Sequence, residues 1–176
     1  MVGSDRVAVM DAVRHRIIDT PVGALLLAAT EAGIVRVAFE RENFDVVLAD
    51  LAAALGPTVA RPTTHPAAAA RQLGEYFAGR RTVFTVPVDY ALSSGFRLLV
   101  LRYLPQVPYA STVSYGEVAG AVGHPRAARA VGSACRTNPL PILVPCHRVV
   151  HADGTPGGYL GGLEAKAALL ALEQQA

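Results

Sequence analysis

Cys146, His147 and Arg148 are consecutive, and no other trio in this sequence is better suited to covalent chemistry. Cysteine attacks as its thiolate, and a neighbouring imidazole or guanidinium is the kind of group that lowers a thiol pKa. Just upstream, Ile142-Leu143-Val144 reads as a short buried segment. Pro145 follows it, fixing its own φ and removing a backbone donor directly before the thiol. The chain is therefore stiff where a nucleophile needs a fixed aim. A plainer reading also fits: a buried structural cysteine beside two surface charges, since free cysteine is among the most buried residue types.

The elements that must position this thiol lie on both sides of it. Upstream, Phe96, Leu99, Val100, Tyr103 and Leu104 recur at helical spacing, and Pro105 ends that helix. Ser114-Tyr115-Gly116-Glu117 is a capping-box signature that starts a helix running to about Val122. Gly123-His124-Pro125 forms a turn, and Arg126 to Arg136 forms a second helix, together the outline of a helix-turn-helix. Ala127, Ala128, Ala130, Gly132, Ser133 and Ala134 leave that helix almost without bulk, and Arg126, Arg129 and Arg136 project from it. Such a surface suits close packing in a core. It suits equally an approach to a nucleic-acid groove, with arginines reaching phosphates or entering the base stack. Downstream, His151 to Gly162 is a loop of turn formers carrying Tyr159 and Leu160, either a linker or one wall of a pocket. A last helix, Leu163 to about Gln174, sets Lys166, Leu170 and Glu173 on one face, where periodicity alone makes both charges solvated.

The first half carries no comparable cluster. Arg16 to Gly23 and Ala24 to Ala29 read as two strands around a Pro-Val-Gly turn, and Gly33 to Phe39 as a third, a small antiparallel meander. Asp45 to Leu55 is a helix stopped by Gly56-Pro57; His65-Pro66 opens another that closes at Gly79; Thr82 to Val88 alternates like a strand. A boundary falls at Ala91 to Gly95, dividing the chain into 1–92 and 93–176. With 52% hydrophobic and 17% charged residues over 176 positions, the chain can bury a sizeable core. Two cysteines give no disulfide framework and suit a reducing compartment. No apolar run is long enough to span a membrane, and Met1 to Met10 lacks the apolar core of a signal peptide, so the cytoplasm is the expected location. The net charge of +2 hides an asymmetry: seven basic against four acidic residues from Phe96 onward, with Glu117 the single acid between Ala110 and Val150. An anionic partner for the second half is expected.

Pro145-Cys146-His147-Arg148-Val149 resembles the signature of the O6-alkylguanine-DNA alkyltransferases. The likeness takes in Pro108-Tyr109, Ser114-Tyr115-Gly116-Glu117, the run from Ala127 to Gly132, Asn138-Pro139, Gly158 to Gly162, Lys166 and Leu172-Glu173, all in order. It implies an α+β protein: a small N-terminal ribonuclease-H-like α/β domain and a mainly helical C-terminal domain with the helix-turn-helix. It implies a single-use reaction in which an alkylated guanine, and with it O4-alkylthymine, is flipped from duplex DNA and its alkyl group moves to Cys146. His147 would take the thiol proton through water, Glu173 would orient His147, Tyr115 would protonate the leaving base, and Asn138 would brace the turn before the thiol. Arg129 would fill the gap in the base stack, with Ser114, Arg126, Ala127, Ala128, Gly132 and Arg136 at the DNA. Pro141, Val149, Tyr159, Leu160, Gly161 and Lys166 would surround the base. No metal or cofactor is implied, and the partner is double-stranded DNA, met by a monomer or cooperatively.

The sequence departs from the family pattern at several points. Ala110 replaces a frequent glycine, Arg97 and Leu101 stand where glutamine and tryptophan are common, and Leu160 occupies a site where some members supply a hydroxyl. Four rivals remain: a lesion-binding relative without transfer, a helix-turn-helix regulator with a structural cysteine, a thiol hydrolase, which would turn over, and a zinc site from Cys135, Cys146, His147 and His151. The zinc spacing fits no common pattern.

Overall fold

The computed structural model describes residues 13–56, 60–61 and 63–175. The N-terminal stretch read for a signal peptide, and Pro57 of the Gly-Pro stop, lie outside them. Two compact units divide between Leu92 and Ser93.

In the first unit, strands β1 (His15–Ile18), β2 (Leu25–Ala29) and β3 (Ile34–Phe39) form the antiparallel meander in chain order. Arg16 stands opposite Leu27 and Leu27 opposite Val37. Every residue of β2 is buried, so the sheet is covered on both faces. Helix α1 (Phe44–Leu55) brings Val47, Leu48 and Leu51 onto Leu26, Ala28 and Ala38. Strand side chains alternate, so Leu25, Leu27 and Val37 point the other way. Helix α2 (His65–Phe77) packs against all three strands and buries Leu73 and Tyr76.

The strand expected at Thr82 to Val88 does not form. Only Val88 bridges, to Ile34. The Gln72 side-chain carbonyl accepts from the Thr85 and Val86 N–H groups at 2.8 and 3.2 Å, and Pro87 has no N–H to give. Alternation supplied the pattern, but the ladder donors are engaged elsewhere or missing.

The second unit is mainly helical: α3 (Gly95–Tyr103), α4 (Tyr115–Ala121), α5 (Ala128–Arg136) and α6 (Leu163–Gln174). A single 3-10 turn, Leu104–Gln106, follows α3 and contains Pro105. The capping box is present: Ser114 accepts from Glu117 N–H at 3.2 Å, and Glu117 accepts from Ser114 N–H at 2.7 Å. Helix α5 begins two residues later than the arginine-to-arginine pattern indicated. His124 O accepts from Ala127 N–H at 2.8 Å, which holds Arg126 in the connecting turn. Strands β4 (Val113–Ser114) and β5 (Val149–Val150) pair in parallel, with Ser114 beside Val150. That short ladder ties the start of the helix-turn-helix to the residues just after the thiol.

Candidate active site

Cys146 opens a 3-10 turn, Cys146–Arg148, whose three residues are all buried. The turn before it is bent sharply. Ile142, β-branched and buried, takes φ +73°, an uncommon conformation that only firm surroundings maintain. Asn138 supplies that firmness. Its Nδ2 donates to Val144 O at 3.0 Å and to Cys146 Sγ at 3.1 Å, while its Oδ1 accepts from Leu140 N–H at 2.9 Å. One fully buried amide thus braces the turn and points a donor at the sulfur.

His147 and Arg148 do not sit at the surface. His147 Nε2 meets Glu173 Oε1 at 2.8 Å, with both side chains buried. Arg148 grips the same carboxylate, Nη2 to Oε1 at 2.9 Å and Nε to Oε2 at 3.0 Å, and its Nη1 donates to Val107 O at 2.7 Å. Its guanidinium also lies 5.7 Å from the centre of the Tyr109 ring. Glu173 Oε2 further accepts from Ala110 N–H at 3.1 Å. The surface reading of Glu173 is therefore corrected. It is 1% exposed, because the last turn of α6 docks onto the Cys146–Arg148 turn and charge pairing offsets the loss of water. Lys166 is corrected in the same way: fully buried, it donates to Val149 O at 2.6 Å and to Gly157 O at 3.3 Å, cross-linking β5 to the glycine loop.

The electrostatics of the thiol differ from the expectation that His147 and Arg148 lower its pKa. Burial pushes Cys146 up to about 11, and the groups that pull it down are Asn138, which bonds the sulfur, and Lys166. Arg148 is engaged with Glu173. His147 is pushed below its ordinary value by burial, only partly countered by Glu173. The resting pair is a neutral thiol and a neutral imidazole. A carboxylate paired with arginine can only accept, so Nε2 carries the ring hydrogen and the Nδ1 lone pair is the basic atom. Nδ1 is buried and bonds to no described protein group.

Tyr115, the first residue of α4, has its hydroxyl pushed up to about 12, chiefly by burial. Gly157 explains its seat: a Cβ there would collide with the hydroxyl and lie 2.8 Å from the ring carbon that bears it. This glycine went unnoticed in the sequence, where it was one loop glycine among several. Around Tyr115 opens a cavity of about 480 Å³, lined by Ala128, Arg129, Gly132, Ser133 and Arg136 from α5 and by His151, Gly157 and Gly158 from the loop. Ser114 uses its hydroxyl to cap α4, Ala127 caps α5 without a side-chain bond, and exposed Arg126 is not in the cavity wall. Of the residues expected around a base, Pro141, Val149 and Tyr159 are buried, and Leu160 and Gly161 are half-buried. The Tyr159 ring stands edge-on to His147 with centres 6.5 Å apart, and Val149 N–H bonds to Cys146 O. Among the described residues no group of three or more His, Cys, Asp or Glu could hold a metal ion. No helix among them is long and apolar enough to cross a membrane.

The second unit thus holds a buried thiol bonded by an amide, next to it in the chain an imidazole oriented by a carboxylate, and a helix pair bearing arginines, the features expected of a cysteine-nucleophile protein that binds nucleic acid. Comparison with known proteins gives the family. Residues 95–175 match the family model for the 6-O-methylguanine DNA methyltransferase DNA-binding domain, and residues 13–90 match that for its ribonuclease-like domain. A methylated-DNA–protein-cysteine methyltransferase of Mycolicibacterium paratuberculosis is 40% identical over 166 residues, 93% of each chain. The constitutive one of Bacillus subtilis is 39% identical over 157 residues, 89% of this chain and 92% of that one. The crystal structure of the Mycobacterium tuberculosis O6-methylguanine methyltransferase superposes with TM-score 0.78 at 37% identity, covering 92% of this chain and 93% of that one. The same protein in complex with DNA gives 0.76 at 36%, covering 93% and 94%. The chain belongs to the 6-O-methylguanine DNA methyltransferase family, and its fold is mixed α+β.

Proposed function

We propose that this protein repairs DNA by direct reversal, moving the alkyl group of O6-alkylguanine in duplex DNA onto Cys146, once per chain. The relatives named for that activity and the family's DNA-binding domain support the reaction class. The observation that carries the residue assignments is the buried chain of contacts from Asn138 to the thiol, and from His147 to Glu173 and Arg148.

The base is extruded from the duplex, because a buried thiol cannot reach an atom inside the stack. Arg129 on α5 fills the gap. His147 Nδ1 takes the thiol proton through a water, and the sulfur then attacks the alkyl carbon. The S–C bond forms as the C–O6 bond breaks. Tyr115 donates its proton to the guanine ring as charge develops there, which a hydroxyl pushed up to about 12 does only once the base is anionic. The imidazolium left on His147 is stabilised by Glu173, whose carboxylate Arg148 holds in place. The thioether on Cys146 does not hydrolyse, so no second turn follows. O4-alkylthymine is a second substrate of the same displacement.

The test is to incubate the protein with duplex DNA carrying O6-methylguanine and measure the mass of the peptide containing Cys146. A gain of one methyl, absent in Cys146→Ser, supports the reading. Tight binding with an unchanged mass would make the protein a lesion binder instead.

A further inference from the structure

Tyr115 must bring its proton donor within about 2.6–3.2 Å of the extruded base, and a phenol turns about two side-chain torsions. The structure closes a slot around it. A Cβ on Gly157 would lie 2.9 Å from ring atom Cε2, and one on Gly132 would lie 3.8 Å from Cε1, so two glycine backbones flank opposite edges of the ring. His151 adds a second ring. Its imidazole centre stands 5.2 Å from that of the phenol at a tilt of 57°, inside the range of about 4.5–7 Å over which aromatic pairs pack.

The backbone that carries His151 is firmly held, although its side chain is exposed. Its N–H donates to Thr155 O and its carbonyl accepts from Gly154 N–H, each at 2.9 Å. Asp153 Oδ1 accepts from Thr155 N–H at 3.0 Å and from Thr155 Oγ1 at 2.6 Å. Buried Lys166 donates to both Val149 O and Gly157 O, so one ammonium pins the loop on either side of His151.

Resting on the repair reading, we propose that His151 is a positioning residue for Tyr115. Its ring, with the Gly132 and Gly157 backbones, fixes both torsions of the phenol and keeps the hydroxyl aimed at the base, while His151 itself exchanges no proton.

The experiment follows single-turnover transfer from an O6-methylguanine duplex, reading the plateau rate at saturating duplex and the duplex concentration that gives half of it. The His151 side chain is exposed, so replacing it leaves no hole in the core. His151→Ala should lower the plateau rate about 2- to 12-fold, the range an aromatic pair supplies, and His151→Phe, which keeps a ring, should recover most of that loss. On a Tyr115→Phe background, where the ring remains and the donor is gone, His151→Ala should cost nothing further, because the two residues act as one unit. A wild-type plateau rate for His151→Ala, or the same loss on the Tyr115→Phe background, overturns the proposal. So does an effect confined to the half-saturating concentration, the mark of a residue that only binds the duplex. No methyl on Cys146 of the wild-type chain rejects the repair reading itself, whereas full transfer without a His151 effect rejects this role alone.

Discussion

Replacing Glu173 by glutamine removes one negative charge where His147, Arg148 and the Ala110 N–H converge. The shape is nearly kept, so the change isolates the charge. Arg148 is 6% exposed and bonded to both carboxylate oxygens, and Glu173 is 1% exposed. Removing one member of such a pair leaves the other buried and uncompensated, which costs about 3–5 kcal/mol. In a chain of 176 residues each kcal/mol lowers the melting temperature by about 2–4 °C, so Glu173→Gln should melt lower by at least ~6 °C. Pairing it with Arg148→Met removes the stranded guanidinium and should restore most of that loss, because apolar replacement of a buried pair is often near neutral. Transfer should not recover. His147 then lacks the carboxylate that fixes its tautomer and stabilises its charged form, and losing general-base help slows a step about 10²–10⁴-fold. The assays are differential scanning calorimetry and single-turnover transfer from an O6-methylguanine duplex. A melting temperature within a degree or two of wild type for Glu173→Gln, or wild-type transfer by the double variant, would show that Glu173 neither compensates Arg148 nor serves His147.

Gly157→Ala drives a Cβ into the Tyr115 hydroxyl, so it should cost roughly 1–3 kcal/mol in stability and slow transfer; Gly158→Ala, which meets nothing within 4 Å, should leave the melting temperature nearly unchanged. Ala110 sits at φ +59°. Relief of about 1–2 kcal/mol there exceeds the unfolded-state freedom glycine adds, about 0.4–1 kcal/mol, so Ala110→Gly should melt higher. His147 has a folded pKa below the ordinary 6.5, so on acidification the unfolded chain takes up that proton first. Its contribution to stability is complete above that value and is lost as the pH falls through the lower folded pKa. Urea unfolding from pH ~7 to pH ~5 should show this decline, and His147→Gln should flatten it.

What the sequence disclosed and what it concealed divide along physical lines. The capping box at Ser114 and Glu117 was legible because it is local: two side chains and two backbone N–H groups within four residues. The meander and the helix from Leu163 to Gln174 were legible from periodicity. The depth of Lys166 and Glu173 was not. Both lie on a helix that also exposes Leu163, and what surrounds them is the 146–148 turn at Glu173 and β5 with the glycine loop at Lys166, which no local spacing encodes. Resemblance to a family, and not periodicity, singled out Glu173. The thiol shows a subtler limit. Proximity in sequence suggested that His147 and Arg148 lower its pKa, whereas the fold turns both toward Glu173 and leaves the sulfur to Asn138 and Lys166. Ala110 was visible only as a departure from the pattern the resemblance implied, and its φ of +59° is a conformation that favours glycine. The segment at Thr82 to Val88 misled because alternation cannot reveal that Gln72 takes its donors.

The most direct measurement is the stoichiometry and location of transfer. With O6-methylguanine duplex in excess, methylation should plateau at one methyl per chain, carried entirely on Cys146 and not on Cys135, the other buried cysteine. Continued turnover, or methyl found on Cys135, would contradict a single transfer to Cys146.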